Sequence, residues 1–262
     1  MPNSASRLHD LLAEVVEQKA QVAQVWAAVL GADVNTPDFA RRHVEVLALL
    51  ADTVAMLPLV PEASRRRYER YVPHWWTGVC GTTLHWGAGN AYSNELISAE
   101  HLDQLGAFGD LIEARTEGTS AAPTGEGLAD LRARCEEWKT LLGEVIGLTA
   151  QTRAVLNAQI EHLLWLIDNV ETFGPARVAS EAQVVLSEAA MATKDVRDPE
   201  QRKTWRQMVS ATAAAVALLT GAVNTYAVPT LEAGNSVIAQ IDQIVDGTAD
   251  ILDGPDDPAP SK

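Results

Sequence analysis

Apolar residues recur at spacings of three and four from Leu8 through Leu11, Leu12, Val15, Val22, Val25, Trp26 and Val29 to Leu30, with Gly31 behind them as a stop. That period marks one face of an α-helix and predicts a single amphipathic helix over 6–30. Thr36-Pro37-Asp38 then offers an N-cap hydroxyl and a proline at the first helical position, and Phe39, Val46, Leu47, Leu50, Val54 and Leu57 carry one face as far as Pro58. The spacing predicts a second helix packed on the first. A short basic helix is expected over 61–71. The stretch 72–97 holds Trp75, Trp76, Trp86 and Tyr92 among glycines without a clear period, and reads as an ordered connector in loop form. Ser98 is placed to cap a helix through Leu102, Leu105, Phe108, Leu111 and Ile112.

Residues 116–127 are rich in Gly, Ser, Thr and Pro, the composition of a flexible linker. Beyond them Leu128, Leu131, Cys135, Trp138, Leu142 and Val145 alternate spacings of three and four, a heptad-like seam. Leu156, Ile160, Leu163, Ile167 and Val170 repeat the pattern up to Gly174-Pro175, and Val178, Ala182, Val185 and Ala189 form a weaker third face. Asp198-Pro199-Glu200-Gln201 has the spacing of a capping box, in which the carboxylate accepts from the amide of Gln201 and the Gln201 side chain returns to the amide of Asp198. A last amphipathic stretch runs through Val237, Ile238, Ile241, Ile244, Val245, Ile251 and Leu252, and 253–262 reads as an acidic disordered tail. No alternation long enough for a β-strand is present. The pattern predicts an all-α multi-helix bundle of about eight or nine helices. They fall into two packed units, 1–115 with the connector 72–97, and 128–252, joined by the linker 116–127.

Composition narrows what such a bundle does. Hydrophobic residues make up 47% of the chain, which excludes global disorder, and a net charge of −15 disfavours a binder of nucleic-acid phosphates. Cys80 and Cys135 belong to no CxxC pair, so neither a disulfide framework nor a redox motif is expected. The acidic, amphipathic first segment has no basic-then-apolar leader, which points to a cytoplasmic protein, with the cytoplasmic face of the membrane as the alternative.

That alternative comes from 207–231, 25 residues without a charge. As a helix they would span about 37 Å, enough for a hydrocarbon core of about 30 Å. Ser210, Thr212, Thr220, Asn224 and Thr225 weaken insertion, and Pro229 ends the helical part near 228. Arg197, Arg202, Lys203 and Arg206 precede the stretch, so an inserted segment would keep the N-terminal body in the cytoplasm. Two readings stand: a central helix buried on all sides through Ala214, Val216, Leu218, Leu219 and Val223, or the same residues in lipid.

Chemistry has few footholds. His74, Cys80 and His85, with Glu95 or His101, are zinc-ligand types at a spacing that matches no standard site. Cys80 beside His74 or His85 would make an activated thiol if an imidazole stood next to it. No HExxH or GxSxG is present, Gly87-Ala88-Gly89-Asn90 reads as a turn, and no cofactor or small-molecule substrate is indicated. Arg65, Arg66, Arg67 and Arg70 lie beside Tyr68, Tyr71, Trp75 and Trp76, the residue types of interface hot spots. They predict a docking patch for an acidic partner or anionic head groups, against the plainer reading of a solvated helix paired with its own acids. Leu131, Trp138 and Leu142, with Ile238, Ile241 and Val245, are candidates for self-association.

Arg70-Tyr71-Val72-Pro73 with Trp86, Leu102 with Leu105, Leu156 with Ile160 and Leu163, and Phe173-Gly174-Pro175-Ala176 stand in an order that resembles a group of functionally uncharacterised bacterial all-helical proteins over about 40–190. The connector departs from that group by its additional Trp and Gly residues. The resemblance implies an all-α bacterial protein of an accessory or defence-type system and supplies no catalytic residues. Taken together, the expectation is a non-enzymatic helical interaction or scaffold protein acting on a protein partner or itself. The alternative is a membrane-acting effector or anchored regulator inserting 207–231, and a third reading is a cysteine- or zinc-dependent enzyme at Cys80.

Overall fold

A computed structural model describes residues 2–81, 91–116 and 125–223. The fold is all-α, as expected. In chain order the helices are α1 (Ser4–Glu17), α2 (Val22–Leu30), α3 (Pro37–Ala55), α4 (Glu62–Glu69), α5 (Val72–Cys80), α6 (Ala99–Thr116), α7 (Gly125–Glu144), α8 (Ala150–Asp168), the single turn α9 (Val170–Phe173), α10 (Pro175–Ala192) and α11 (Pro199–Val223). Among the described residues the β-type pairing is one isolated bridge between Gln21 and Tyr92.

The helices form two units. The first takes residues up to 122 together with 164–178, and the second takes 123–163 and 179 onward. The chain therefore passes between the units three times, after 122, 163 and 178. Thr116 closes α6 and Gly125 opens α7, and the intervening 117–124 lie outside the described residues.

In the first unit α1 lies against α3, α6 and α9, and buries Leu8, Leu11, Leu12 and Val15. Asn3 starts it: Oδ1 accepts from the amides of Ala5 at 3.0 Å and Ser6 at 3.1 Å, while Nδ2 donates to the Gly109 carbonyl at 2.8 Å. One side chain caps α1 and ties it to α6. Gly109 is needed there, because a Cβ at that position would stand 3.0 Å from the Ser6 backbone nitrogen. The predicted helix over 6–30 is in fact two. Lys19 turns into the left-handed region at φ 48°, and the chain just after it is caught by another segment, with Ser93 N–H donating to Ala20 O and Val22 N–H to Ala91 O. α3 begins as expected, Thr36 Oγ1 accepting from Phe39 N–H with Pro37 in the first turn.

The expected loop over 72–97 is also corrected. Its first part is the helix α5, opened by Pro73 in the first turn and ended by Gly81 at φ 57°. Pro73 and Gly78 look like breakers in the sequence. In place, Pro73 occupies a position where no amide is needed, and Gly78 faces Ile97, whose side chain would lie 3.3 Å from a Cβ. Residues 82–90, including His85 and Trp86, are outside the described residues.

In the second unit α7 packs on α11. Leu131, Trp138 and Leu142 are buried in this unit, and Trp138 Nε1 donates to Thr212 Oγ1 at 2.9 Å and meets the Trp205 ring edge-on at 4.7 Å. Trp205 Nε1 in turn donates to the Ala189 carbonyl of α10 at 2.8 Å. The seam read as a self-association face is thus used within the chain. The capping box is half right. Asp198 Oδ1 does accept from Gln201 N–H at 2.9 Å, but the Gln201 amide reaches the turn after α7, accepting from Ile146 N–H and donating to Glu144 O.

Candidate interaction surface

The charge-free segment settles into a helix with two unlike faces. Along α11, Trp205, Val209, Thr212, Ala215, Val216 and Leu219 are buried, whereas Ser210, Ala214 and Ala217 are exposed. Neither sequence reading anticipated this. The helix is not buried on all sides, since Ala214 faces solvent, and no helix among the described residues is long and apolar enough to cross a membrane. Small residues on the exposed face explain the absence of charge without lipid. Ile238, Ile241 and Val245 lie outside the described residues, and so do the positions from 224 to 231.

The basic and aromatic residues of α4 and α5 divide by depth. Trp75 is fully buried: Nε1 donates to the His101 carbonyl at 3.0 Å and the ring stacks on Phe108 at 5.9 Å. It belongs to the core, not to the patch, and Tyr68, 4.9 Å from Phe108, anchors α4 beside it. The next residue faces the other way, and Trp76 is 50% exposed. Arg65 pairs with Glu69 at 3.6 Å and Arg66 with Glu62, both one turn away on α4, so these two fit the plainer reading of a self-paired helix. Arg67 donates to Gln104 Oε1 of α6 at 2.9 Å and lies over the Tyr68 ring. Arg70 is exposed and forms no ion pair among the described residues. Tyr71 is half-buried, 5.8 Å from the His101 ring. The patch that reaches solvent is therefore Arg66, Arg67, Arg70, Tyr71 and Trp76, held from below by Tyr68 and Trp75.

Of the residues read as chemistry around Cys80, His85 lies outside the described residues. His74 stacks on His101 at 3.7 Å, and burial together with His74 lowers the His101 imidazole. Burial pushes the half-buried Cys80 thiol up, opposite to the direction that activates a thiolate. Cys135, buried in the second unit, is pushed up to about 12 by burial and by Glu136. Among the described residues no group of three or more His, Cys, Asp and Glu side chains is placed to hold a metal ion.

A second polar cluster went unread in the sequence. Glu45 is 4% exposed, and its Oε2 accepts from Arg177 Nε at 2.7 Å and Nη2 at 2.6 Å. Asp52, two turns along α3, is raised by burial and by Glu45, against the lowering pull of Arg177 and Arg7. Arg7 is itself lowered by burial and lies where a side chain on Gly174 would stand. Gly174 adopts φ 85°, so the end of α9 both requires a glycine and makes room for the guanidinium. Arg42 donates to the carbonyls of Leu30 and Gly31, and its guanidinium sits 5.0 Å from the centre of the Trp165 ring. Sequence position hides this cluster, because Glu45 and Arg177 are 132 residues apart. One signal was available: Glu45 interrupts an apolar face between His43 and Val46. Comparison with family models, with curated proteins and with solved structures finds no match.

Proposed function

We propose that this chain is a non-enzymatic helical docking protein whose α4–α5 surface receives an acidic segment of a protein partner. The observation that carries the reading is an exposed indole and exposed guanidinium groups on consecutive helices of a chain of net charge −15. Trp76 is half exposed on α5, and Arg66, Arg67 and Arg70 are exposed on or just after α4, on helices fixed by the buried Tyr68 and Trp75. An aromatic anchor with fork-shaped cations on a rigid support is the composition of an interface hot spot. Arg70 supplies charge that no described carboxylate neutralises, while Arg67 is oriented by Gln104. An acidic segment would gain Coulombic attraction from both, and would cover the Trp76 ring.

The test is titration calorimetry of the full chain with a synthetic Asp- and Glu-rich peptide carrying one aromatic residue. Arg70→Glu and Trp76→Ala should each weaken binding by about tenfold, the size of a hot-spot truncation. Both residues are exposed, so folding should be unaffected. Unchanged affinity in both variants would sink the reading.

A further inference from the structure

A different surface, in the second unit, is built for an anion. Arg202, Lys203 and Arg206 line one open groove of about 340 Å³ together with Pro199 and Gln207, all on α11. At 100° per residue Lys203 and Gln207 fall opposite the buried Trp205, Val209 and Thr212, while the half-buried Arg202 and Arg206 flank that buried face. The cations therefore line the border between the packed face of α11 and solvent.

Several arginines elsewhere are matched to acids within a turn: Arg41 with Asp38, Arg66 with Glu62, and Arg134 with Asp130 and Glu137. On α11, Asp198 and Glu200 stand within a turn of Arg202 and Lys203, but the turns on either side of Arg206 hold no acid. Arg206 has Arg202 and Lys203 one turn before it, and Val209 and Ser210 one turn after. Arg202 Nε is occupied by the Val196 carbonyl at 2.9 Å, which fixes the start of its guanidinium and leaves the rest to the groove. No ion pair or side-chain hydrogen bond joins Lys203 or Arg206 to another of the described residues. Like charges a turn apart destabilise a helix, so this arrangement costs stability unless something negative sits among them. Acids outnumber bases 35 to 20 in the chain, yet among the described residues none forms an ion pair with Lys203 or Arg206.

We infer that the groove lined by Arg202, Lys203 and Arg206 is a binding site for a phosphate-bearing ligand. Two cations on successive turns suit a compact, multiply charged oxyanion, the half-buried Arg206 offers a planar fork for two of its oxygens, and the Gln207 amide adds a neutral donor at the rim. The same chemistry arrives either as a free phosphate compound or as a phospholipid head group.

The full chain is titrated with inorganic triphosphate, and separately floated with phosphatidylcholine vesicles with and without phosphatidic acid. The triphosphate should bind, and Lys203→Ala with Arg206→Ala should weaken it by about tenfold or more, the worth of one charge-assisted hydrogen bond. Lys139→Ala, an exposed cation on α7, should leave the affinity unchanged. Binding to the acidic vesicles alone, lost in the double variant, assigns the site to a head group; binding to triphosphate, lost in the same variant, assigns it to a soluble ligand. Failure of both probes, or binding that ignores the double substitution, overturns the inference. Circular dichroism of the double variant separates loss of the site from loss of the fold.

Discussion

Two buried charges in the first unit show how unequal the partners of one ion pair are. Glu45 is 4% exposed whereas the Arg177 side chain is 32% exposed, so removing the arginine strands a carboxylate that water cannot reach, while removing the acid frees a guanidinium that water can. Arg177→Ala should lower the unfolding free energy by about 3 kcal/mol and Glu45→Gln by clearly less, measured by urea denaturation. His43 gives a second prediction. Its Nε2 lies 3.0 Å from the Val79 carbonyl and its ring between Trp26 and Phe39, where burial lowers the imidazole and the carbonyl opposes. The unfolded chain then takes up the proton first, so the contribution of His43 is whole above about pH 6.5 and is lost as pH falls from there towards the lowered folded value. His43→Gln should flatten the decline of the melting temperature over that interval, and an unchanged slope would refute the assignment.

At the scale of elements, local chemistry explains both what the sequence disclosed and what it hid. α3 and α7 were legible because their apolar period is sustained and their ends carry Thr36 and Gly147, and α10, with a weaker face, because Gly174-Pro175 marks its start. The break between α1 and α2 was not, because Gln18-Lys19-Ala20 contains no residue that announces a turn; the bridge to 91–93 imposes it from outside. α5 was hidden by Pro73 and Gly78, whose roles as first-turn proline and packing gap are fixed only by the fold. The proposed docking surface rests on Arg and Trp enrichment in the sequence, and only burial separates Trp75 from Trp76. In the second unit a hydroxyl buried in α11 is matched to α7: Thr212 accepts from Trp138 and donates to Met208 O. Thr212→Val should cost about 1–2 kcal/mol by leaving the buried indole N–H without an acceptor, and adding Trp138→Phe should recover part of that loss because the orphaned donor is gone. A double-mutant cycle on thermal unfolding checks the sign.

For the whole molecule, composition said acidic and able to fold, and both statements needed a location before they meant anything. The charge-free run of 25 residues looked like the apolar extreme of the chain; its described part is an ordinary two-faced helix with alanine and serine outside. Linker composition could not mark the crossings between units that fall inside α8 and α10, where helical propensity is uninterrupted. Residues 164–178 bring Trp165, Phe173, Gly174 and Arg177 to the first unit. The N-terminal piece is thus incomplete as a continuous polypeptide. A fragment of residues 1–122 would carry Glu45 without its guanidinium and α1 without the turn it packs on, and should be recovered as an unstable or aggregating chain. A synthetic peptide of residues 164–178, added in trans, should raise its melting temperature, as a missing piece does when it is returned to the structure that was folded around it.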